Sequence, residues 1–304
     1  MKIGIPRALL YYKYGDFWLD FFEYLNIEVV LSPETNKKIL KKGIKSSVDE
    51  SCLSSKIYMG HVESLKSICD YIFIPRIACV CKKEELCAKF MALPDIVRNT
   101  FKNVKVLSMN IDYENNEYEK AAYIKLALDL GYKRKDAMDA YKYALSNEEK
   151  RVKDNSKEQE LLLKKDGLKI LVVAHAYNIY DAFIGKPILK YLNDSNINLI
   201  MADRVPVDVA RSKSKKISKN LYWTYNKELV GAIEMYKDQV DGILIVSSFP
   251  CGTDSIVNDL VMRKVKDIPI STIIIDELDA SAGLITRLES FVDILTYKKE
   301  GNII

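Results

Sequence analysis

Long apolar runs are missing from this 304-residue chain. No stretch approaches the roughly 18 consecutive apolar residues that argue for a membrane-spanning helix, so no membrane association is expected. The N-terminus, MKIGIPRALLYY, has no apolar h-region with a small-residue cleavage site behind it. A cytoplasmic location is expected on that ground. An excess of one charge is missing too: 46 Lys and Arg stand against 42 Asp and Glu, a formal net charge of +4. Lysines scattered among acids make no basic stripe, so no nucleic-acid partner is expected. The segment RSKSKKISK, 211–219, is the local exception. It reads either as a solvated helix end or as a landing site for a phosphate-bearing ligand or an acidic partner. No G-x-G-x-x-G follows the first strand and no G-x-x-x-x-G-K-S/T occurs, which weakens dinucleotide-binding and P-loop readings. No internal repeat of about 20–50 residues is evident.

What is present is alternation. Hydrophobic residues make up 48% of the chain, enough for a packed core, and the length suggests two domains. Short apolar runs at 2–6, 28–32, 71–75 and 104–109 read as buried strands, with helical patterns such as DFWLDFFEYL and SSKIYMGHVESLKS between them. Strand–helix alternation argues for a parallel sheet covered on both faces. From 115 to 166 the chain is highly charged, helical in pattern and free of proline before Gly167. Alternation then returns, with strands expected at 168–176, 196–202, 241–248 and 270–277. The expected architecture is α/β: two Rossmann-like doubly wound domains, 1–114 and 167–304, joined by a helical connector at 115–166, with an interdomain cleft. Ligands in such sheets sit beyond the carboxyl ends of the strands.

Cysteine carries the chemistry. In a reducing compartment six cysteines are free thiols, redox groups or metal ligands rather than a disulfide framework. Cys52, Cys87 and Cys251 share a setting, each in a turn-like segment directly before a predicted helix. Helix N-termini offer free N–H groups and the positive end of the macrodipole, which stabilise a thiolate. Three thiolates brought together need a cation, as an iron–sulfur cluster or Zn²⁺ provides. Their wide spacing matches no compact C-x2-C signature. Cys79 and Cys81 form a C-x-C with Cys87 following; they are either strand residues packing inward or part of a metal knot. Cys69 reads as a small buried hydrophobe.

IGIPRALLYY, VDESCLSSKIYMGHV, YIFIPR, ELCAKFMALPD, FPCGTDS and GLITRLESF together make nearly the whole chain resemble the 2-hydroxyacyl-CoA dehydratase and benzoyl-CoA reductase iron–sulfur subunit superfamily. Within it the resemblance is to the acyl-CoA dehydratase activase-related branch, the CoA enzyme activase uncharacterised domain. The resemblance implies Rossmann-like domains and a 4Fe-4S cluster at the domain interface, with Cys52, Cys87 and Cys251 as ligands and one iron left open. A double-cubane cluster would need more cysteines, and Cys79 and Cys81 are the extra ligands available for it. The resemblance further implies low-potential, ATP-coupled reduction or radical dehydration of an acyl-CoA-like substrate, hence a lyase or a reductase component. It implies an ATP-dependent activator or reductase protein as partner and a homodimer or heterodimer. The chain lacks a G-x-D-x-G-S-T phosphate-binding stretch, so the ATPase would be a separate protein.

Around these ligands, Asp49 and Glu50 read as loop anchors or helix caps, and Lys56 and Lys89 face either the cluster or solvent. Thr253, Asp254 and Ser255 read as caps of the helix after Cys251. Candidate catalytic residues are His175, which ends a strand in the company of Tyr177, Asn178 and Asp181, together with Glu277 and Arg76; Arg287 lines the same cleft as Glu277 or pairs with it. Two other readings fit the same residues: a non-enzymatic cluster-holding accessory or electron-relay protein, and a zinc-binding module.

Overall fold

The computed structural model describes residues 1–278 and 281–301, so the last three residues of the expected C-terminal domain lie outside the described residues. The chain divides into two compact units, Met1–Arg151 with Tyr222–Thr224, and Val152–Leu221 with Tyr225–Ile304.

Unit one begins β1 (Lys2–Ile5), α1 (Tyr11–Tyr24), β2 (Glu28–Leu31), α2 (Lys37–Lys45), α3 (Leu53–Leu65) and β3 (Tyr71–Phe73). It continues with β4 (Arg76–Cys79), α4 (Ala88–Thr100), β5 (Val106–Leu107), β6 (Asn110–Asp112), α5 (Glu119–Asp129) and the start of α6 (Arg134–Lys164). Its main sheet is parallel, in the order β2-β1-β3-β5. The apolar runs form this sheet because strands covered on both faces need continuous hydrophobicity. On α1, Phe17, Trp18, Phe21 and Phe22 share one helical face and are all buried. Trp18 and Phe22 each meet Phe73 of β3 edge-on at 5.2 Å, while Phe21 packs on Tyr123 of α5. β4 and β6 pair separately as a two-stranded parallel sheet.

Two glycines set how α2 meets α3. A Cβ at Gly43 would lie 1.8 Å from the Lys56 carbonyl oxygen, and one at Gly60 would lie 2.1 Å from that of Ile39. The helices therefore cross backbone to backbone, which no larger residue permits. Asn36 caps α2, its side-chain oxygen accepting from Lys38 N and Ile39 N at 2.9 and 3.1 Å.

Unit two receives α6, which carries the chain across Arg151 and Val152, and continues with β7 (Lys169–Val173), α7 (Ala176–Ile179), α8 (Lys186–Asp194), β8 (Asn198–Met201) and α9 (Val207–Ser214). Then come α10 (Thr224–Tyr236), β9 (Gly242–Ser248), α11 (Gly252–Lys264), β10 (Ile270–Ile275) and α12 (Ser281–Lys299). Its sheet is parallel, in the order β10-β9-β7-β8. Every residue of β9 is buried. Leu288, Phe291 and Leu295 on α12 are buried at helical spacing, and Leu295 reaches the space over Gly242. The edge strand β8 is finished by a side chain: Gln159 of α6, 2% exposed, donates to Met201 O at 2.8 Å and accepts from Met201 N at 3.0 Å. Among the described residues no helix is long and apolar enough to cross a membrane.

Candidate functional site

The three cysteines singled out by their local sequence occupy one structural position. Cys52, Cys87 and Cys251 are the N-cap residues of α3, α4 and α11, and in none of them does the side chain bond back to the helix as a cap. All three are partly exposed and none is in a disulfide. Because α3 and α4 each lead into a parallel strand and α11 follows one, each helix starts on the side of its own sheet where the strands end. That is the side on which open α/β sheets bind ligands. Pro94 lies inside α4 without ending it.

In unit one the two cysteine-bearing turns are tied together. Lys89, in the first turn after Cys87, donates to the hydroxyl of Ser51, which precedes Cys52, at 3.3 Å. The loop before Cys87 is pinned by pairing of Glu85 with Trp223: Glu85 N donates to Tyr222 O at 3.2 Å and Thr224 N to Glu85 O at 3.1 Å. Asp49 and Glu50 are exposed turn residues and neither caps α3, since Cys52 holds that position. Lys56 is buried on α3. His61, further along the same helix, is 0% exposed, with Nδ1 2.7 Å from Ser32 Oγ and Nε2 2.9 Å from Thr35 Oγ1. Burial, and then the Arg7 charge, lower its pKa to about 3.

The remaining cysteines stand apart from this pattern. Cys79 is buried in β4 and its thiol donates to Cys81 O at 3.0 Å; the Cys81 thiol points to Lys82 O at 3.8 Å. Cys69 packs over Gly4, and burial, followed by the Asp70 charge, raises its thiol pKa. Arg76 is engaged in fixing β4 to β6, through Asn110 and, at 3.5 Å, Asp112.

In unit two a buried polar group surrounds the start of α11. His175, the residue before α7, is 7% exposed and places Nε2 2.9 Å from Asp254 Oδ1. Asn226 of α10 donates to the same oxygen at 2.8 Å. Tyr177 stacks on the imidazole at 4.9 Å between centroids, and Tyr225 meets it edge-on at 6.5 Å. Burial pushes the Asp254 carboxyl up. His175, the Asn226 amide and, least of all, the Cys251 thiol outweigh that and hold its pKa below the ordinary value. Cys251 itself lies 3.4 Å from Thr253 Oγ1, and Ser255 donates back to Cys251 O at 2.7 Å. Asp254, expected as a helix cap, is instead the centre of this group. Asn226 and Tyr225 carried no signal in the sequence. Glu277 is half-buried in the turn after β10 and Arg287 is exposed on α12. Asn178 accepts from Ser248 at 3.0 Å, and Asp181 bonds the backbone of Phe183 and Ile184. In the basic segment, Arg211 and Lys216 pair with Glu228 and Glu234 of α10.

The thiols at helix N-termini are the right donor type for a thiophilic metal or cluster. Cys52 and Cys87 belong to unit one and Cys251 to unit two. Among the described residues no group of three or more His, Cys, Asp and Glu side chains is placed to hold a metal ion.

Residues 2–205 match the model of a family described as the CoA enzyme activase uncharacterised domain. The matched span takes in Cys52, Cys87 and His175 and ends before Asn226, Cys251 and Asp254. No curated protein matches the chain. Among solved structures, the SBP FpvC from Pseudomonas aeruginosa in complex with Mn²⁺ is 14% identical, covering 99% of this chain and 99% of its own, with a TM-score of 0.30. ZnuA is 12% identical, covering 97% and 98%, with a TM-score of 0.28. Likenesses this slight say nothing about which metal, if any, this chain takes.

Proposed function

The chain belongs to the CoA enzyme activase uncharacterised domain family, and we propose that it is an iron–sulfur protein of the 2-hydroxyacyl-CoA dehydratase type, holding a 4Fe-4S cluster through Cys52, Cys87 and Cys251. One observation carries this reading: the three cysteines are N-cap residues, partly exposed and outside any disulfide. At that position the helix dipole and the first free N–H groups favour the thiolate, the form that binds iron. When bound, such a cluster supplies electrons at low potential. The chain's own residues hold the ligands in place. Lys89 bridges to Ser51 and so fixes the turns that carry Cys52 and Cys87. Asp254 anchors the first turn of α11 behind Cys251. Cys79, whose thiol is spent on a carbonyl, and Cys81 are the weaker candidates, which favours a single cubane over a double one.

On this reading the protein is a lyase or reductase component acting on an acyl-CoA-like substrate in the cytoplasm. It works as a homodimer or heterodimer, with electrons from an ATP-dependent activator. The exposed Lys213, Lys215 and Lys219 offer contacts for phosphate. A second reading, carried by the same partly exposed N-cap thiols, is a zinc-binding module or a non-enzymatic, cluster-holding electron relay. Elemental analysis and an absorbance spectrum of anaerobically purified protein separate these. Iron with acid-labile sulfide and a broad visible absorption support the cluster. Colourless protein carrying zinc selects the module and rejects the cluster.

A further inference from the structure

We propose that β10 is the interface of a homodimer, in which two copies of the chain join their unit-two sheets edge to edge, the two β10 strands antiparallel about a two-fold axis at Thr272. Nothing in this depends on a bound cluster. β10 is the outer strand of the order β10-β9-β7-β8. Ile243 N donates to Pro269 O and Phe249 N to Ile275 O, so the odd-numbered residues turn their backbone groups to β9. Ile270, Thr272 and Ile274 therefore turn N–H and C=O outward, and among the described residues no protein group pairs with them. The opposite edge of the same sheet is closed, since Gln159 bonds both backbone groups of Met201 on β8. The devices that keep sheet edges apart are a lysine or other charge, a proline and a bulge. ISTIII has no charge and no proline, and its pairing with β9 runs without a register shift. Ile274 is 47% exposed.

The pattern along this edge fits a second copy. The outward residues read Ile-Thr-Ile in both directions about Thr272. Antiparallel pairing sets Thr272 opposite Thr272 and Ile270 opposite Ile274 of the second copy, with about six backbone hydrogen bonds across the axis. Thr–Thr and β-branched cross-strand pairs of this kind are stabilising. The helices agree with the strands. α11 joins the neighbouring strands β9 and β10 and so lies over them. Its Asn258 lines a cavity with Asn226 and Leu229 of α10, so the flank bearing Ile256 and Leu260 turns away from α10, towards the edge. A two-fold axis normal to the sheet puts α11 of both copies on one face. With strands about 4.8 Å apart, these two helices stand about 10 Å from each other, which is the distance at which helices pack. Ile256, which is exposed, and Leu260 then meet the same flank of the second copy. Charge agrees as well. The chain enters β10 past Lys264, Lys266 and Asp267 and leaves through Asp276 and Glu277. Antiparallel pairing brings the basic end of each copy to the acidic end of the other. An unrelated peptide strand would use the backbone edge but not this symmetry.

Sedimentation velocity of the purified protein should show a species of twice the 34.8 kDa chain mass. Hydrogen exchange resolved to single residues should find the Thr272 and Ile274 amides protected wherever the dimer is present. That protection should be lost at dilutions where monomer prevails, while the Ser271 and Ile273 amides, bonded to β9, stay protected in both. Ile274→Lys puts a charge on an already exposed position and should raise the dimer dissociation constant by roughly tenfold or more. Leu161→Lys, at a position just as open on α6, should leave it unchanged. A wild-type chain that stays monomeric at about 100 μM overturns the interface. So does a dimer whose Thr272 amide exchanges as fast as in the monomer. Both readings are made on wild type and need no variant to fold.

Discussion

Acidification from pH 7 to pH 5 should weaken unit one through a single side chain, His61. Its ring is fully buried and bonded at both nitrogens, to Ser32 and Thr35, with the charge of Arg7 nearby. Burial first, and Arg7 second, hold its pKa at about 3 against an ordinary 6.5. The folded value is the lower one, so between these limits the unfolded chain binds a proton that the folded chain refuses. Stability from this group is therefore present above about pH 6.5 and lost progressively as pH falls towards 3. The loss between pH 7 and pH 5 is about 2 kcal/mol, and the whole transition is worth about 5 kcal/mol. Both tryptophans, Trp18 and Trp223, belong to unit one, so intrinsic fluorescence follows its unfolding. Urea unfolding at pH 7, 6 and 5 should show wild type losing about 2 kcal/mol more than His61→Gln loses over the same range. The variant itself should start lower at pH 7 by about 1–3 kcal/mol, because Ser32 and Thr35 lose a partner. If wild type and variant fall in parallel with pH, His61 is not the buried neutral group described here.

Other outcomes follow from packing and pairing. Gly60→Ala would gain about 1 kcal/mol if helix propensity alone decided. Its Cβ would instead lie 2.1 Å from the Ile39 carbonyl oxygen, so a loss of about 1–3 kcal/mol is expected, and thermal unfolding gives the sign. Gln159→Ala leaves the buried Met201 N–H and C=O without their partner and should cost about 2–4 kcal/mol, with faster hydrogen exchange at the Met201 amide; unchanged exchange would contradict the pairing. Asn36→Ala removes the cap of α2 and should cost about 1 kcal/mol in the same unfolding assay, whereas Asn36→Asp should retain most of it.

The sheets were legible in the sequence because strands buried on both faces need a continuous apolar run, as ILIV in β9 and ILVV in β7 are. The cysteine positions were legible for a similar local reason: a turn followed by a helical pattern marks an N-terminus, and the N-cap is its first residue. β4 and β6 were not, since they follow directly on the apolar runs at 71–75 and 104–109 and read as the tails of those strands rather than as a second sheet. α2 was hidden by its lysines, with Ile39, Leu40 and Gly43 as its buried face. Asp254 read as a cap because acids favour helix starts; its true partners come from the turn between β7 and α7 and from α10, and nothing local in the sequence announces them. Asn226 lies 28 positions from Asp254 and meets it only through the crossover that brings α10 beside α11. Chemistry assembled by tertiary contact leaves no mark on the segments that supply it.

The most direct test of the central claim is iron and acid-labile sulfide per chain after strictly anaerobic purification, in wild type and in Cys52→Ala, Cys87→Ala and Cys251→Ala. About four irons and four sulfides in wild type, lost in each variant, is the predicted result. A wild-type protein that holds no iron even after reconstitution, or variants that hold as much as wild type, would contradict the assignment of these three cysteines to a cluster.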